Sequence, residues 1–234
     1  MHDVNAIAVK RENDRIFREG SFPEMRSETF FRLDPVPVER ETAFRVEDAL
    51  VRTDTISAVL QHRGKRVCAL NFANANFPGG AYVLGGNAQE EALCRASLLY
   101  YTIRTQHVYY RRNRLHVFPD YTDAMIWSEH VPVIRDNDGN MLGTPMSCDF
   151  ITCPAVNTTF ARFLLSRRRI QATMQRRIEQ IILLAAQKRP DVLILGAFGC
   201  GVFGNRREDV YPMFEAAIGR YLPDGIEVVF ADPR

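Results

Sequence analysis

The sequence predicts an α/β fold, and three patterns indicate it. Twice in the 234-residue chain, a short apolar run is followed by a glycine-rich loop and then by a helical pattern. The second of these runs, at 191–195, is almost continuously apolar, which is typical of a strand buried on both faces of a sheet. A helical pattern at 207–222 and a strand pattern at 226–230 then complete a β-α-β unit.

The N-terminal half contains fewer regular patterns. Residues 4–20 are predicted to form an amphipathic helix, although its apolar stripe is irregular. Residues 30–44 hold two short strand-like runs interrupted by prolines, which suits the edge of a sheet. A short helix is predicted at 53–61, beginning at Thr53 or Asp54, and a buried strand at 66–70. We expect residues 1–234 to form a single domain, with residues 1–45 as an extension packed on it.

The C-terminal half has clearer boundaries. Strands are predicted at 125–134 and 149–154, and the polar turn at 136–140 lies between them. Residues 158–189 are strongly helical, as one long helix or two pieces ended by Pro190. This stretch has a large basic excess against Glu179 alone, formed by Arg162, Arg167, Arg168, Arg169, Arg176, Arg177, Lys188 and Arg189. A solvated helix face explains most of the excess, and a polyanionic substrate or DNA is the alternative.

Composition narrows the functional class. We expect no membrane partner and no signal peptide, because the chain has no apolar run of about 18 residues and begins with a charged stretch. Its five cysteines lack C-x-x-C spacing, so neither a metal site nor a set of disulfides is indicated. A reducing, intracellular and cytoplasmic location is expected. The net charge of +2 is too small to indicate nucleic-acid binding by itself.

The first glycine-rich loop combines small residues with two carboxylates. Between the strand at 66–70 and the following helix, the loop contains four glycines: Gly79, Gly80, Gly85 and Gly86. A strand, a glycine loop and a helix N-terminus together offer backbone N–H groups and a positive dipole to an anion. Glu90 and Glu91 stand in the first helical turn, however, where a loop made only for phosphate would not need them. The combination indicates chemistry at the sugar of a nucleotide-like ligand.

Each glutamate also has a structural interpretation. Asn87 is predicted as the N-cap, and Glu90 three residues later then completes a capping box. Glu91 falls at helical spacing with Cys94, Leu98 and Tyr101, which indicates that it shares their apolar face. Burial there would favour the protonated form that a general acid needs. The alternative for Glu91 is an ordinary surface acid on a slightly rotated helix.

The second glycine loop, at 199–204, reads G-x-G-x-x-G between a strand and a helix. Taken alone, this pattern predicts a Rossmann dinucleotide site. Only about thirty residues follow it, however. The acidic residue expected about 20 residues further on has no convincing candidate, since Asp224 and Glu227 lie before or at the start of the next strand. A diphosphate cradle made of backbone N–H groups fits the same glycines without a nicotinamide cofactor. A tight strand-to-helix turn with Phe203 in the core is the structural alternative.

Taken together, the motifs resemble those of a known family. Gly79-Gly80-Ala81, followed after seven residues by Gln89-Glu90-Glu91, resembles the GGG-x(6–8)-QEE signature of poly(ADP-ribose) glycohydrolases, and of their compact microbial group in particular. The resemblance covers most of residues 50–234 in consistent order, because three further segments match: NFAN from residue 71, ITCPA from residue 151 and LGAFGCGVFGN from residue 195. It implies a macrodomain-like three-layer α/β fold, in which a mixed central sheet has helices on both faces.

The resemblance also implies an activity and roles for individual residues. The activity is hydrolysis of the O-glycosidic ribose–ribose bond of poly(ADP-ribose), without metal or cofactor, by a protein expected to be a monomer. Glu91 would be the general acid and base, and Glu90 would hold the ribose hydroxyls. Phe203 would lie against the terminal ribose, Asn74 would anchor that ribose, and a fixed diphosphate would pre-position the scissile bond. The expected substrate-binding residues are Asn74, Gly79, Gly80, Ala81, Gln89, Gly199, Cys200, Gly201, Val202, Phe203 and Asn205.

One position departs from the signature. Ala81 stands where the family has its third glycine, which adds a methyl group beside the ligand and restricts the backbone. Two alternatives therefore remain open at this stage: a hydrolase that removes ADP-ribose from a nucleobase or a protein side chain, and an ADP-ribose reader with little turnover. The partner is accordingly expected to be ADP-ribose polymer or an ADP-ribosylated protein or nucleic acid. The presence of both glutamates favours an enzyme over a reader.

Overall fold

A mixed seven-stranded sheet lies at the centre of the structure, a computed structural model that describes residues 6–38, 40 and 43–234. The strands in chain order are β1 (Arg26–Phe30), β2 (Leu50–Val51), β3 (Val67–Phe72), β4 (Met125–Arg135), β5 (Met141–Cys153), β6 (Val192–Gly196) and β7 (Glu227–Ala231). Their order across the sheet is β1-β4-β5-β3-β6-β7-β2. Pairing is antiparallel from β1 through β4 to β5 and parallel from β5 to β2.

Helices cover both faces of this sheet. They are α1 (Ala6–Glu19), α2 (Val46–Ala49), α3 (Thr55–Gln61), α4 (Gln89–Ala96), α5 (Leu99–Ile103), α6 (His107–Leu115), α7 (Thr158–Leu164), α8 (Arg167–Lys188) and α9 (Arg207–Tyr221), with a 3₁₀ turn at Tyr82–Leu84. Alternate residues of the central strand β3 enter two separate apolar clusters, because side chains alternate across a strand. Leu70 joins the cluster beneath α8 and α9, and Ala69 joins the one beneath α3 to α6. The three-layer arrangement is therefore confirmed.

The parallel strands bring both glycine loops to one edge of the sheet. β3 lies between β5 and β6 and runs parallel to both, so their carboxyl ends point the same way. The Phe72 ring at the end of β3 meets the Phe198 ring after β6, with centroids 5.8 Å apart. Ligands of open α/β sheets bind outside the carboxyl ends of the strands. We therefore expect a ligand site at this edge of the sheet.

The prediction that Glu91 shares one helical face with Leu98 and Tyr101 is wrong. α4 ends at Ala96, and Ser97 forms an isolated bridge with Val133 of β4 before α5 begins. The N–H of Leu98 likewise donates to the carbonyl of Pro132 over 2.9 Å. Bonding to the neighbouring strand replaces bonding along the helix, so Glu91, Leu98 and Tyr101 do not share one helix.

Three other predicted boundaries differ from the structure. The predicted strand at 149–154 is the end of β5, which begins at Met141 because a hairpin pairs it with β4. The helical stretch 158–189 forms two helices, the second beginning after Ser166, whose hydroxyl accepts the N–H of Arg169. The edge strand β1 lies before the strand-like runs predicted at 30–44, and residues 39, 41 and 42 of that range lie outside the described residues.

The N-terminal segment contacts the same face of the sheet as the first loop. The predicted helix at 4–20 is α1, although its first two predicted residues lie outside the described residues. Asn13 of α1 is buried, and its side-chain amide donates to Tyr82 Oη over 3.2 Å and to the carbonyl of Arg95 over 3.0 Å. The single-domain assignment of residues 1–234 remains a prediction. Within the described residues, no helix is both long and apolar enough to cross a membrane.

Candidate active site

The first glycine loop is folded tightly over the start of α4. Asn74 Oδ1 accepts the backbone N–H groups of Asn76 over 2.8 Å and Phe77 over 3.0 Å, which turns the chain directly after β3. Gly79 and Gly80 follow with φ values of 69° and 58°, a region that favours glycine over other residues. The turn therefore requires the glycines at these two positions for conformational reasons.

Glu91 is fixed by two backbone donors, one from the loop and one from its own helix. Its Oε1 accepts the N–H of Ala81 over 2.8 Å, and its Oε2 accepts the N–H of Ala88 over 2.7 Å. Ala88 is the residue that precedes the first turn of α4, so Glu91 takes the position of a capping-box glutamate. The predicted pairing of Asn87 with Glu90 is wrong, because the helix begins one residue later and the Asn87 side chain accepts from Arg95 instead.

Glu90 is the more deeply buried glutamate, with 2% of its surface exposed. Its Oε1 accepts from Asn71 Nδ2 over 3.3 Å, and its Oε2 accepts the N–H of Asn74 over 2.7 Å. The pKa of Glu90 is raised to about 8, mainly by burial and also by the neighbouring charge of Glu91, although its hydrogen bonds act in the opposite direction. Glu90 is therefore mostly neutral at pH 7, and its carboxyl group binds Asn71 and Asn74 instead of capping the helix.

Gly80 brings the two carboxyl groups together. A Cβ on Gly80 would overlap Oε1 of Glu91 and would lie 3.1 Å from Oε2 of Glu90. Both carboxyl groups therefore converge on one point of the loop backbone. The charge of Glu91 is therefore close enough to raise the pKa of Glu90.

Gln89 joins α4 to the central strand. Its Oε1 accepts the N–H of Phe72 over 2.9 Å, and its Nε2 donates to the carbonyl of Leu70 over 2.8 Å and to Thr55 Oγ1 over 3.2 Å. These bonds use both ends of the carboxamide on the protein itself. Gln89 is thus positioned to hold the glutamates that follow it at the end of β3.

Ala81 fits the loop with an ordinary backbone conformation. Its φ is −93°, so the methyl group causes no backbone strain. The methyl group lies over Gly86, because a Cβ built on Gly86 would be only 2.6 Å from it. The close approach of the two ends of the loop therefore depends on a glycine at 86.

The second glycine loop is tied to the segment that follows β5. Gly199 has a φ of 72°, and a Cβ there would be 2.5 Å from Cβ of Ala155 and 2.6 Å from Nδ2 of Asn205. That amide donates to the carbonyl of Val156 over 2.8 Å and to the carbonyl of Gly199 over 3.2 Å. The backbone N–H groups of Gly201, Val202 and Phe203 donate to no group within the described part of the chain. They are therefore available to an anion.

Cys200 and the other four cysteines are free thiols. Burial raises the pKa of Cys200 to about 11, so this thiol is not ionised at neutral pH. The described residues contain no group of three or more histidine, cysteine, aspartate or glutamate side chains arranged to hold a metal ion. The carboxyl groups of Glu90 and Glu91 are the groups in this arrangement that can transfer a proton.

The site includes a tyrosine that sequence reasoning missed. Tyr121 has a φ of 56°, which is rare for a non-glycine residue, and its ring centroid lies 6.3 Å from that of Phe203. Nothing in the sequence around Tyr121 distinguishes it from an ordinary turn residue. The strained conformation keeps its ring beside the second loop.

Arg177 stabilises the turn that contains Tyr121. The prediction that this arginine lies on a solvated helix face is therefore wrong. Its side chain is fully buried, and it donates to the carbonyl of Pro154 over 2.9 Å and to the carbonyl of Asp120 over 2.7 Å. The signal was present in the sequence, since Arg177 stands at helical spacing from Met174 and Ile181 on the apolar face of α8. Arg177 thus joins the segment that follows β5 to the turn that contains Tyr121.

Comparisons with known proteins identify a family and related structures. The family description "Microbial-type PARG, catalytic domain" matches residues 5–136. Among solved structures, this chain is similar to poly(ADP-ribose) glycohydrolase from Thermomonospora curvata bound to the inhibitor ADP-HPD. The TM-score is 0.80 and the sequence identity 27%, and the match covers 97% of this chain and 93% of that one. The enzyme from Deinococcus radiodurans, in complex with ADP-ribose, has a TM-score of 0.71 and 33% identity, over 79% of this chain and 76% of that one. No curated protein matches the sequence.

Proposed function

This chain belongs to the microbial-type poly(ADP-ribose) glycohydrolase family, and we propose that it hydrolyses the O-glycosidic ribose–ribose bond of poly(ADP-ribose) to release ADP-ribose. The observation that carries the proposal is the convergence of two buried carboxyl groups, Glu90 and Glu91, on the backbone of Gly80. A protein that only binds ADP-ribose has no need to bury two acids there, because their desolvation is costly. The enzyme is therefore favoured over the reader.

The second loop is proposed to bind the diphosphate of the substrate. Its unbonded N–H groups at 201–203 precede α9 by a few residues, so they and the helix dipole act on the same anion. We assign the terminal ribose to the space between Phe203 and Asn74. Binding energy from the diphosphate, remote from the reacting bond, would then hold the glycosidic carbon beside the glutamates.

Glu91 is proposed to act as the general acid and then as the general base. It donates a proton to the departing ribose oxygen as the C–O glycosidic bond breaks, which leaves an oxocarbenium-like centre on the terminal ribose. Water then adds to that carbon, and its proton returns to Glu91. The two backbone hydrogen bonds to Glu91 fix the direction of its carboxyl group throughout.

Glu90 is proposed to bind the hydroxyl groups of the same ribose. Its pKa of about 8 keeps it neutral, so it can donate a hydrogen bond as well as accept one. Ionisation of Glu90 would remove this hydrogen-bond donor. The rate should accordingly fall as the pH rises through about 8.

Three substrates distinguish polymer hydrolysis from removal of ADP-ribose from a protein side chain or a nucleobase. The protein is incubated separately with ADP-ribose polymer, mono-ADP-ribosylated protein and ADP-ribosylated DNA, and release of ADP-ribose is followed in each case. We expect release from the polymer, and a chelator such as EDTA should leave the rate unchanged. Release of ADP-ribose only from the protein or DNA substrate would contradict the proposal, and so would release from none of the three.

Free ligands test the Rossmann alternative. Calorimetry should show tighter binding of ADP-ribose than of NAD, because nicotinamide would occupy the place where Glu91 meets the departing group and offers no hydroxyl oxygen there. A preference for NAD, or hydride transfer in any assay, would revive the dinucleotide-binding interpretation of residues 199–204.

The remaining assignments concern the protein as a whole. We propose a monomer in a reducing, cytoplasmic environment. Its free cysteines support the compartment, because all five are unpaired and four of them are buried.

A further inference from the structure

Exposed aromatic rings and arginines lie together beside the second glycine loop. Phe160 and Phe163 of α7 are 62% and 73% exposed, which is unusual for large apolar side chains on a short helix. The guanidinium of Arg162 lies 4.7 Å from the centroid of the Phe163 ring. Arg168, at the start of α8, is exposed and has no ion-pair partner among the described residues. We call these four residues the α7 platform.

The α7 platform is continuous with the proposed cleft. The hydroxyl of Thr158 donates to the carbonyl of Phe203 over 2.6 Å, and that of Thr159 donates to the carbonyl of Val202 over 3.2 Å. α7 therefore starts directly against the loop assigned to the diphosphate and the terminal ribose. A ligand that extends out of the cleft past Phe203 would meet α7 next.

A second aromatic and basic pair extends this surface. Phe118 is 41% exposed, and the guanidinium of Arg169 lies 4.8 Å from its ring centroid. The N–H of Asn157, just before α7, donates to the carbonyl of Pro119 over 3.2 Å, so the two segments are adjacent. Arg169 also pairs with Asp120 at 2.8 Å, whereas Arg167 lies 3.9 Å from Asp209, its one ion-pair partner among the described residues.

We propose that the α7 platform binds the part of the poly(ADP-ribose) chain on the leaving side of the scissile bond. This inference rests on the proposed function, because it assumes that the cleft holds the terminal unit. Each further unit of the polymer presents an adenine ring and a diphosphate, and exposed rings beside arginines can stack on the first and pair with the second. The platform would raise the affinity for polymer without contacting the reacting atoms.

Charge and position favour the polymer over two other occupants. An anionic membrane also attracts arginines and aromatic rings, and a second copy of the chain could cover the apolar side chains. Neither occupant explains why the surface begins at the carbonyl groups of Val202 and Phe203. A polymer that leaves the cleft accounts for both the position and the composition.

The test separates polymer binding from binding of the terminal unit. Phe163→Ala and the double variant Arg162→Gln/Arg168→Gln are compared with the wild type in polymer hydrolysis and in calorimetry with free ADP-ribose. We expect the KM for polymer to rise by about fivefold or more in Phe163→Ala, with kcat and the Kd for ADP-ribose unchanged. In the double variant, the slope of log KM against log salt should fall by about 1.4, or about 0.7 for each lost phosphate contact.

Arg63→Gln is the matched control. Arg63 is exposed, and among the described residues its side chain donates a hydrogen bond only to the carbonyl of Thr144. It precedes β3, at the end of the strands opposite the proposed cleft. Its loss should leave the KM and the salt slope unchanged. Thermal unfolding of every variant should match the wild type, because the substituted side chains are exposed.

The outcomes are distinguishable. If the wild type is active and the variants have the same KM and salt slope, the platform proposal is overturned and the proposed function remains intact. If the wild type released no ADP-ribose, the proposed function would fail. Filter binding of labelled polymer would then test the platform alone. Equal retention of polymer by the wild type and the variants would overturn the platform proposal. Loss of binding to phosphatidylserine vesicles, or loss of a dimer, with polymer affinity unchanged would assign the surface to another occupant.

Discussion

The backbone N–H of Ala81 donates a 2.8 Å hydrogen bond to Oε1 of Glu91. The one residue that departs from the family signature therefore holds the residue assigned as the general acid. It does so through its backbone, which any amino acid except proline would provide. A second bond, from the N–H of Ala88, fixes the other oxygen of the same carboxyl group. The position of Glu91 thus depends on the fold of the loop and on the start of α4, and not on the third glycine.

Glu91→Gln tests the general acid. The amide retains an oxygen that can accept one of the two backbone N–H groups, so the loop should keep its fold, but it cannot deliver a proton. We expect kcat to fall by about 10²–10⁴-fold while ADP-ribose still binds. Polymer hydrolysis measured under single-turnover conditions, together with calorimetry, checks both statements. Glu24→Gln is the control, since Glu24 is exposed and its one ion-pair partner among the described residues is Arg26. Near-normal turnover of Glu91→Gln would refute the assignment.

Glu90→Gln should be less severe for catalysis. A glutamine resembles the neutral form that Glu90 already has at pH 7, so the amide can still donate and accept hydrogen bonds at the ribose. We expect a smaller loss of kcat than in Glu91→Gln, measured in the same assay. A loss as large as that of Glu91→Gln would mean that Glu90 itself delivers the proton.

The same substitution has a predicted effect on stability. The folded-state pKa of Glu90, about 8, lies above the ordinary value of 4.5, so its contribution to stability is fully present below pH 4.5 and is lost as the pH rises to about 8. Within this window, the free energy of unfolding of the wild type should fall relative to Glu90→Gln by about 1.4 kcal/mol per pH unit. Urea unfolding of both proteins across the window measures the difference. Parallel pH profiles would contradict the raised pKa.

Much of the fold could be predicted because its signals are local. Glycines placed between an apolar run and a helical pattern indicate each strand, loop and helix without any knowledge of the rest of the chain. The break at Ser97 could not be predicted, because it depends on pairing with Val133, far along the sequence. The length of β5 likewise depends on its hairpin with β4, since tertiary pairing overrides local propensity.

The candidate site was predicted less completely than the fold. The motif residues could be chosen from the sequence, but the roles of the glutamates depend on which backbone donors reach them. Glu90 looked like the helix cap, and a shift of one residue at the helix start gave that position to Glu91. Tyr121 could not be found, because a positive φ has no sequence signature in a residue of this kind.

Gly80→Ala tests whether the loop backbone brings the two acids together. The new methyl group would meet the Glu91 carboxyl group and would force a backbone with a φ of 58° on a residue that disfavours it. We expect a loss of stability of about 1–3 kcal/mol and a large loss of kcat, measured by urea unfolding and polymer hydrolysis. Gly143→Ala is the matched control, because a Cβ at Gly143 in β5 meets no atom within 4 Å. Equal effects of the two substitutions would show that Gly80 has no special role.

Ala81→Gly tests whether the departure from the signature has a functional cost. If the third position needed a positive φ, Ala81 would be strained, and glycine would increase both stability and turnover. Its φ is −93°, which alanine adopts freely, and its methyl group rests over Gly86 within the loop. We therefore expect turnover to change little and stability to fall by about 0.4–1 kcal/mol, because glycine gives the unfolded chain more conformational freedom. Steady-state kinetics on the polymer and urea unfolding provide the measurement. A several-fold rise in turnover together with higher stability would show instead that Ala81 holds the loop in a form suited to binding rather than to hydrolysis.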